Sequence, residues 1–293
     1  MPWTRIASGI VAIIIALGMT ILGGWFFTII FCVLVYLAQI EYFQLVKAKG
    51  TRPAGKTTMI VSQMLLVCAN SALLPNVTDL ADAILPVAGS LICFYLLFQP
   101  RIASIADISA SILGLFYGGY LPSFWIRLRS LGNQEVSNLP LNGFWPQSWL
   151  DFSTYPMGFK LTLLGFLCIW AADIGAYTMG RLVGRTRLSN ISPKKTVEGA
   201  HFGILGSIIV GVTGALLLRW PLWLVTGITW GGLIGGASLL GDLTESMMKR
   251  DAGVKDSGQL IPGHGGILDR ADSYVFTAPL VFYFVTILLP ALD

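Results

Sequence analysis

Charge is scarce in this chain. Only 12% of its 293 residues are Asp, Glu, Lys or Arg, about half the share of a soluble domain. With 55% hydrophobic residues and a mean hydropathy of +0.73, an ordinary water-soluble globule is excluded. The net charge of +4 is too small and too scattered to mark a nucleic-acid surface, and no nucleic-acid partner is expected. Cysteine is also scarce. Cys32, Cys68, Cys93 and Cys168 lie inside apolar runs, without a CxxC pair or a histidine at ligand spacing, which excludes a disulfide framework and a zinc site. There is no internal repeat, no low-complexity segment and no soluble domain. Any chemistry has to come from helix ends and loops.

What the chain has instead is apolar runs long enough to cross a bilayer as helices. Nine are expected, at 6–22, 25–43, 57–74, 83–98, 104–124, 159–179, 202–219, 222–247 and 274–291. The fold class is therefore an all-α, polytopic integral membrane protein with about nine transmembrane helices. The first run follows Arg5 and is followed at once by a second, without a small-residue cleavage site near Gly23, so it reads as an uncleaved span. The eighth run is longer than a span needs, and its last turns reach past the membrane. Two regions are expected. Residues 1–160 hold helices 1–5 and an external loop, and residues 161–293 hold a catalytic region with two cytoplasmic loops.

Basic residues set the sidedness. With the N-terminus in the cytoplasm, Arg127, Arg129, Lys160 and Arg219 fall outside and the other 15 of the 19 fall inside. The segment 125–157, rich in aromatic residues, is then external and reads as an interfacial loop.

Three polar groups interrupt this apolar pattern. Asp173, Tyr177 and Gly180 share one face of an apolar helix, and an intramembrane Asp costs about 2.5–3.5 kcal/mol on insertion scales. This reads as a ligand site or as a hydrogen-bonded packing seam. The loop 184–199 contains Ser192-Pro193-Lys194-Lys195-Thr196-x-Glu198-Gly199. Ser192-Pro193 suggests a helix start, whose amides and lysines form an anion receptor; a basic loop against anionic lipid reads equally well. The third group is densest. Residues 246–272 carry Lys249, Arg250, Lys255 and Arg270, Asp251, Asp256, Asp269 and Asp272, His264 and five glycines. Just upstream, Asp242, Glu245 and Lys249 lie on one helical face. Carboxylates on separate elements can hold Mg²⁺, which prefers oxygen ligands, and the glycines allow close backbone approach. Together they point to a metal-assisted phosphate site.

The spacing Ser246-x-Met248-Lys249-Arg250-x4-Lys255-Asp256-x-Gly258-x3-Pro262-x-His264-Gly265-Gly266-x2-Asp269-Arg270-x-Asp272 resembles the signature of the phosphatidate cytidylyltransferase family. The Ser192 to Gly199 loop and the Asp173-x-Gly175-Ala176-Tyr177 helix are similar to that family's upstream motifs. The resemblance covers about residues 165–290; residues 1–160 agree only in hydropathy. Ala271 departs from it, where a larger aliphatic residue is expected.

The resemblance implies transfer of CMP from CTP to phosphatidic acid, with CTP, phosphatidic acid and membrane lipids as partners and a homodimer as the assembly. It implies Mg²⁺, with a second cation such as K⁺. Asp242, Asp256, Asp269, Lys255 and Arg270 are the catalytic candidates. Asp242 and Asp269 are the expected metal ligands, with Asp272 beside them. Lys194 and Lys195 are expected on phosphates, Asp173 and Glu198 on the nucleotide or a metal-bound water. Thr196, Lys249, Arg250 and His264 complete the substrate-binding set. Two other readings stay open: a CTP-dependent kinase of lipid alcohols, and an anion transporter built on Asp107, Asp173 and the basic loops.

Overall fold

The structure, a computed structural model, describes residues 2–70, 80–261 and 265–292. It is helical, with no sheet among the described residues and only isolated bridges at loop necks. The helices are α1 (Pro2–Leu22), α2 (Gly24–Ala48), α3 (Gly55–Cys68), α4 (Leu80–Leu97), α5 (Ile105–Leu115), α6 (Leu121–Ser130), the short α7 (Asn133–Val136), α8 (Met157–Val183), α9 (Val197–Leu217), α10 (Trp223–Asp251) and α11 (Leu268–Tyr283). A π-helical turn, Phe116–Tyr120, joins α5 to α6, and another, Phe284–Leu288, extends α11.

Each expected apolar run contains a helix. Five are long and apolar enough to cross a membrane by length and composition: α2, α8, α9, α10 and Leu268–Leu292. Three more, Ser8–Leu22, Gly55–Cys68 and Ala83–Leu97, are apolar but shorter. The expected run at 104–124 is a composite of α5, the π turn and the start of α6. The end of the third expected run falls in 71–79, outside the described residues.

By its contacts the chain divides into two units. The first contains Met1–Lys160 and Asp251–Ala271, the second Leu161–Arg250 and Asp272–Asp293. The segment Asp251–Ala271, which carries most of the signature, therefore groups with the N-terminal helices.

In the first unit, polar side chains fix the helix ends. Gly23 and Gly24 turn α1 into α2 with φ of +61° and +49°, and a Cβ at Gly23 would run into the Arg129 guanidinium. That conformation and that space both require glycine. Arg129 is buried and donates to Thr20 O (2.6 Å), Ile21 O (3.0 Å) and Asn133 Oδ1 (2.9 Å). It thus satisfies carbonyls left over at the end of α1. Asp107 and Ser104 form a capping box at the start of α5, and Asp107 also accepts from Arg52 N at 2.6 Å. The Asp107 carboxylate is occupied as a helix cap, which removes it from the transporter reading. The segment 138–159 is folded on its own aromatics. Phe152 stacks on Tyr155 at 4.8 Å, Tyr155 meets Phe159 at 5.1 Å, and Asn138 and Trp145 exchange two hydrogen bonds of 2.8 Å.

The second unit is built on small residues. Gly199, Gly203, Ser207 and Gly211 form a stripe on α9; Gly227, Gly231 and Gly235 form one on α10. A Cβ at Gly231 would lie 2.5 Å from Ile208 Cα, and one at Gly203 would lie 2.7 Å from Ala172 O on α8. The helices therefore touch backbone to backbone, as spacing of small residues four apart allows within a bilayer. Trp220, Trp230 and Phe284 close one end with ring centroids 5.2–5.8 Å apart.

Candidate functional site

The second unit holds a cluster of three carboxylates. Asp242 and Glu245 are one turn apart on α10, and Asp272 comes from α11, with one oxygen of each within 4.8 Å of the others. A Cβ at Gly241 would collide with Asp272 O, so a glycine at this position is what lets α11 come so near. Glu245 and Asp272 are buried and Asp242 is half-buried. Three anions in a poorly solvated place repel one another unless cations gather there. Two are present. Lys195 pairs with Asp242, and Lys249 pairs with Glu245 from one turn further along the helix. The all-oxygen donor set suits a hard divalent cation such as Mg²⁺. Asp173 on α8 lies within electrostatic reach of Asp272 and Tyr274. Tyr274 in turn accepts from Trp170 Nε1 at 2.6 Å.

Lys195 reaches this cluster from a folded loop. Leu188 N donates to Lys195 O (2.9 Å) and Val197 N to Thr186 O (2.9 Å), a bridge that draws residues 186–188 alongside 195–197. Glu198 braces the loop by accepting from Arg185 N (3.1 Å) and Thr186 N (3.2 Å). Arg250 donates to Ile191 O at 3.3 Å. The expected helix start at Ser192-Pro193 is corrected here. Those residues form a turn, closed by Lys195 N donating to Ser192 O at 3.0 Å. α9 begins at Val197, with Thr196 as N-cap accepting from Gly199 N at 3.1 Å. The bridge 187–196 keeps Lys195 extended, so the capping is left to Thr196. Lys194 points to solvent, whereas Lys195 is half-buried.

The remaining signature residues lie in the first unit. Lys255, Asp256 and Arg270 are exposed. Asp269 is folded into the loop: its Oδ2 accepts from Ser257 N (3.0 Å), Ser257 Oγ (3.0 Å) and Gly266 N (2.8 Å). His264 lies outside the described residues.

Two carboxylates gain a place that sequence reading did not give them. In the sequence Glu245 only shares a helical face with Asp242, and Glu41 stands alone inside an apolar run. It is buried in α2 and accepts from Ser257 Oγ (2.9 Å), Ile267 N (3.0 Å) and Leu268 N (2.8 Å). The signal was available, because an ionisable residue inside an apolar run is a functional candidate by default.

Comparison with known proteins covers the N-terminal half as well as the polar motifs. The model of a family described as the cytidylyltransferase family matches residues 3–288. The chain is 62% identical over 297 aligned residues to a phosphatidate cytidylyltransferase of Synechocystis sp., covering 100% of this chain and 99% of that protein. It is 41% identical over 273 residues to phosphatidate cytidylyltransferase 5, chloroplastic, of Arabidopsis thaliana, covering 92% and 68% of the two chains. A Staphylococcus epidermidis phosphatidate cytidylyltransferase matches at 45% identity over 133 residues, 44% of this chain and 50% of that one. The family resemblance is thus not confined to the polar motifs of the second half, and the chain belongs to the cytidylyltransferase family.

Proposed function

We propose that the protein transfers CMP from CTP to phosphatidate, giving CDP-diacylglycerol and pyrophosphate. The observation that carries this reading is the Asp242, Glu245 and Asp272 cluster with Lys195 and Lys249 already set against it. Both substrates are polyanions, and a site of this composition gathers phosphate through cations. The phosphatidate phosphate is itself the nucleophile and is largely ionised at neutral pH. Its oxygen forms the new bond to the α-phosphorus of CTP, and the α–β bridging bond breaks with its electrons leaving on pyrophosphate. No general base is needed. Catalysis is positioning and charge neutralisation.

Asp242, Glu245 and Asp272 are the residues that would hold Mg²⁺, with Asp269 as a further candidate from the family resemblance. When bound, the ion neutralises charge on the triphosphate and on departing pyrophosphate. A second cation such as K⁺, a homodimer and the roles of Asp173, Asp256, Lys255, Arg270 and His264 follow from the family resemblance and belong to the same proposal. Lys195 holds a phosphate, and Glu198 and Thr196 hold the loop that presents it.

Labelled CTP tests the reading directly. Purified protein with Mg²⁺ and phosphatidate is expected to move label from α-labelled CTP, and none from γ-labelled CTP, into the lipid. The reverse pattern with a lipid alcohol as acceptor identifies the kinase reading instead.

The site is proposed to face the cytoplasm, on the basic-residue bias. A single cysteine at Asn190, in a background without the native four, is expected to react with an impermeant maleimide only from the cytoplasm. One at Gln147, exposed in the aromatic loop, is expected to react only from outside. Labelling of Asn190→Cys from outside reverses the topology. Asn133, in the same outer region, is buried against Arg129 and Asn142 and makes a poor reporter.

A further inference from the structure

The glycines of the signature loop are shaped by a residue that lies outside the signature. A Cβ at Gly258 would sit 2.5 Å from Glu41 Oε1, and one at Gly266 would collide with Glu41 Oε2. Gly265 has φ of +83°, and a Cβ there would lie 2.6 Å from Asp269 Oδ2. Residues 257–258 and 265–268 of this loop therefore pack on two carboxylates, Asp269 from within and Glu41 from a helix more than 200 residues earlier in the chain. The Ser257 hydroxyl touches both. Glu41 also takes the amides of Ile267 and Leu268, which lead into α11. Such amides have no partner within their own helix, and here the acceptor comes from α2. The residues on either side of this segment, Lys255 and Asp256 before it and Arg270 after it, face solvent. Asp256 precedes Ser257 and Arg270 follows Asp269 directly in the chain, so the placement of these residues follows the loop.

We propose that Glu41 is a positioning residue for nucleotidyl transfer. It latches the signature loop and the start of α11, and so sets where Lys255, Asp256 and Arg270 stand when the triphosphate arrives. This deepens the cytidylyltransferase reading and rests on it. It also gives the first apolar half of the chain a part in the chemistry.

The test uses the full-length protein in detergent with α-labelled CTP and phosphatidate. Glu41→Gln keeps the shape but turns an amide NH₂ toward donors. It is expected to lower kcat/KM for CTP about 10–100-fold, the range found when groups that orient a site's ligands are changed. Part of that fall is a raised KM for CTP, which a mere loss of folded protein does not produce. Hydrogen exchange at the amides of Ile267 and Leu268 is expected to quicken while α9 and α10 keep their protection. Gly258→Ala is expected to be as harmful in the wild-type background, but at least about fivefold less harmful combined with Glu41→Ala, because the three atoms nearest the added methyl all belong to the Glu41 side chain. If Glu41→Gln fails to fold, Ser257→Ala, which removes one bond of the latch, takes its place with an expected loss of about 3–10-fold. Wild-type kcat/KM in Glu41→Gln or Ser257→Ala, or penalties of Glu41→Ala and Gly258→Ala that simply multiply, overturns the proposal. A wild-type protein that transfers no label into lipid sinks the functional reading. Exchange at Ile267 and Leu268 still decides whether Glu41 latches the loop.

Discussion

Asp242→Asn is expected to lower kcat by about 10²–10³-fold or more, on the order of what removing one electrostatic group at a reacting phosphate or oxyanion costs, while leaving the protein at least as stable as before. The two halves of that expectation come from one feature. Asp242, Glu245 and Asp272 offer oxygens within 4.8 Å of one another, two of the three residues are buried, and Lys195 and Lys249 are paired with Asp242 and Glu245. Without a divalent ion, a third negative charge there is a liability. With one, it is a ligand. Removing the Asp242 charge therefore relieves repulsion in the metal-free protein and weakens the metal-bound one. The measurement is a melting temperature in detergent with and without Mg²⁺, next to a turnover assay. Wild-type protein is expected to gain stability from Mg²⁺, as any ligand that binds only the folded state confers. Asp242→Asn and Asp272→Asn are expected to lose both that gain and the turnover. Asp269→Asn serves as the contrast. It disturbs a carboxylate that takes three hydrogen bonds from its own loop, so its melting temperature falls without Mg²⁺ as well as with it. Turnover within a few-fold of wild type in Asp242→Asn at saturating Mg²⁺ removes the cluster from the mechanism. So does a Mg²⁺-dependent stabilisation that survives.

Much of this was legible in the sequence, because the strongest constraint on the chain is also the plainest. Backbone in a bilayer has to be satisfied internally, so apolar runs become helices and their order can be read directly. The composite at 104–130 escaped because Ser104 and Asp107 cap a short helix and the π turn at Phe116–Tyr120 carries the chain on into α6; hydropathy does not register either. The start of α9 was misplaced for a related reason. Ser192-Pro193 is a good local signal for a helix, but a bridge between Arg187 and Thr196 closes the segment into a loop with a turn at Ser192 to Lys195, and that pairing is not local. The carboxylates of the site show the same limit. Asp242 and Asp272 stand out by the company they keep in sequence. Glu41 keeps company with Ile40, Tyr42 and Phe43, and its partners are 216 to 227 residues away. Spacing within a motif can assign chemistry, whereas the residue that holds the motif in place is visible only once the chain is folded.

Lys195→Gln is expected to reduce kcat/KM for CTP by about 10–150-fold, the equivalent of one hydrogen bond to a charged group, whereas Lys194→Gln is expected to change it by less than about twofold. The sequence presents the two lysines as equals. The structure does not. Lys194 is exposed, and Lys195 is half-buried with its ammonium against Asp242. Its position is set by the bridge on both sides of it and by Glu198 behind the loop, so little ordering remains to be done when the triphosphate binds. The effect is expected to split. KM for CTP rises because a ground-state contact is lost, and kcat falls because the same cation meets more charge as pyrophosphate departs. Lys195→Arg keeps the charge but not the compact ammonium, and is expected to recover KM more than kcat. The competing view has both lysines resting on anionic headgroups. It expects Lys194→Gln and Lys195→Gln to behave alike, with both losses present in anionic micelles and absent in neutral ones, because the attraction is then to the lipid surface. CTP titrations of the two variants in neutral and in anionic micelles separate these cases. Equal, lipid-dependent losses with an unchanged KM for CTP would falsify the placement of Lys195 on the nucleotide.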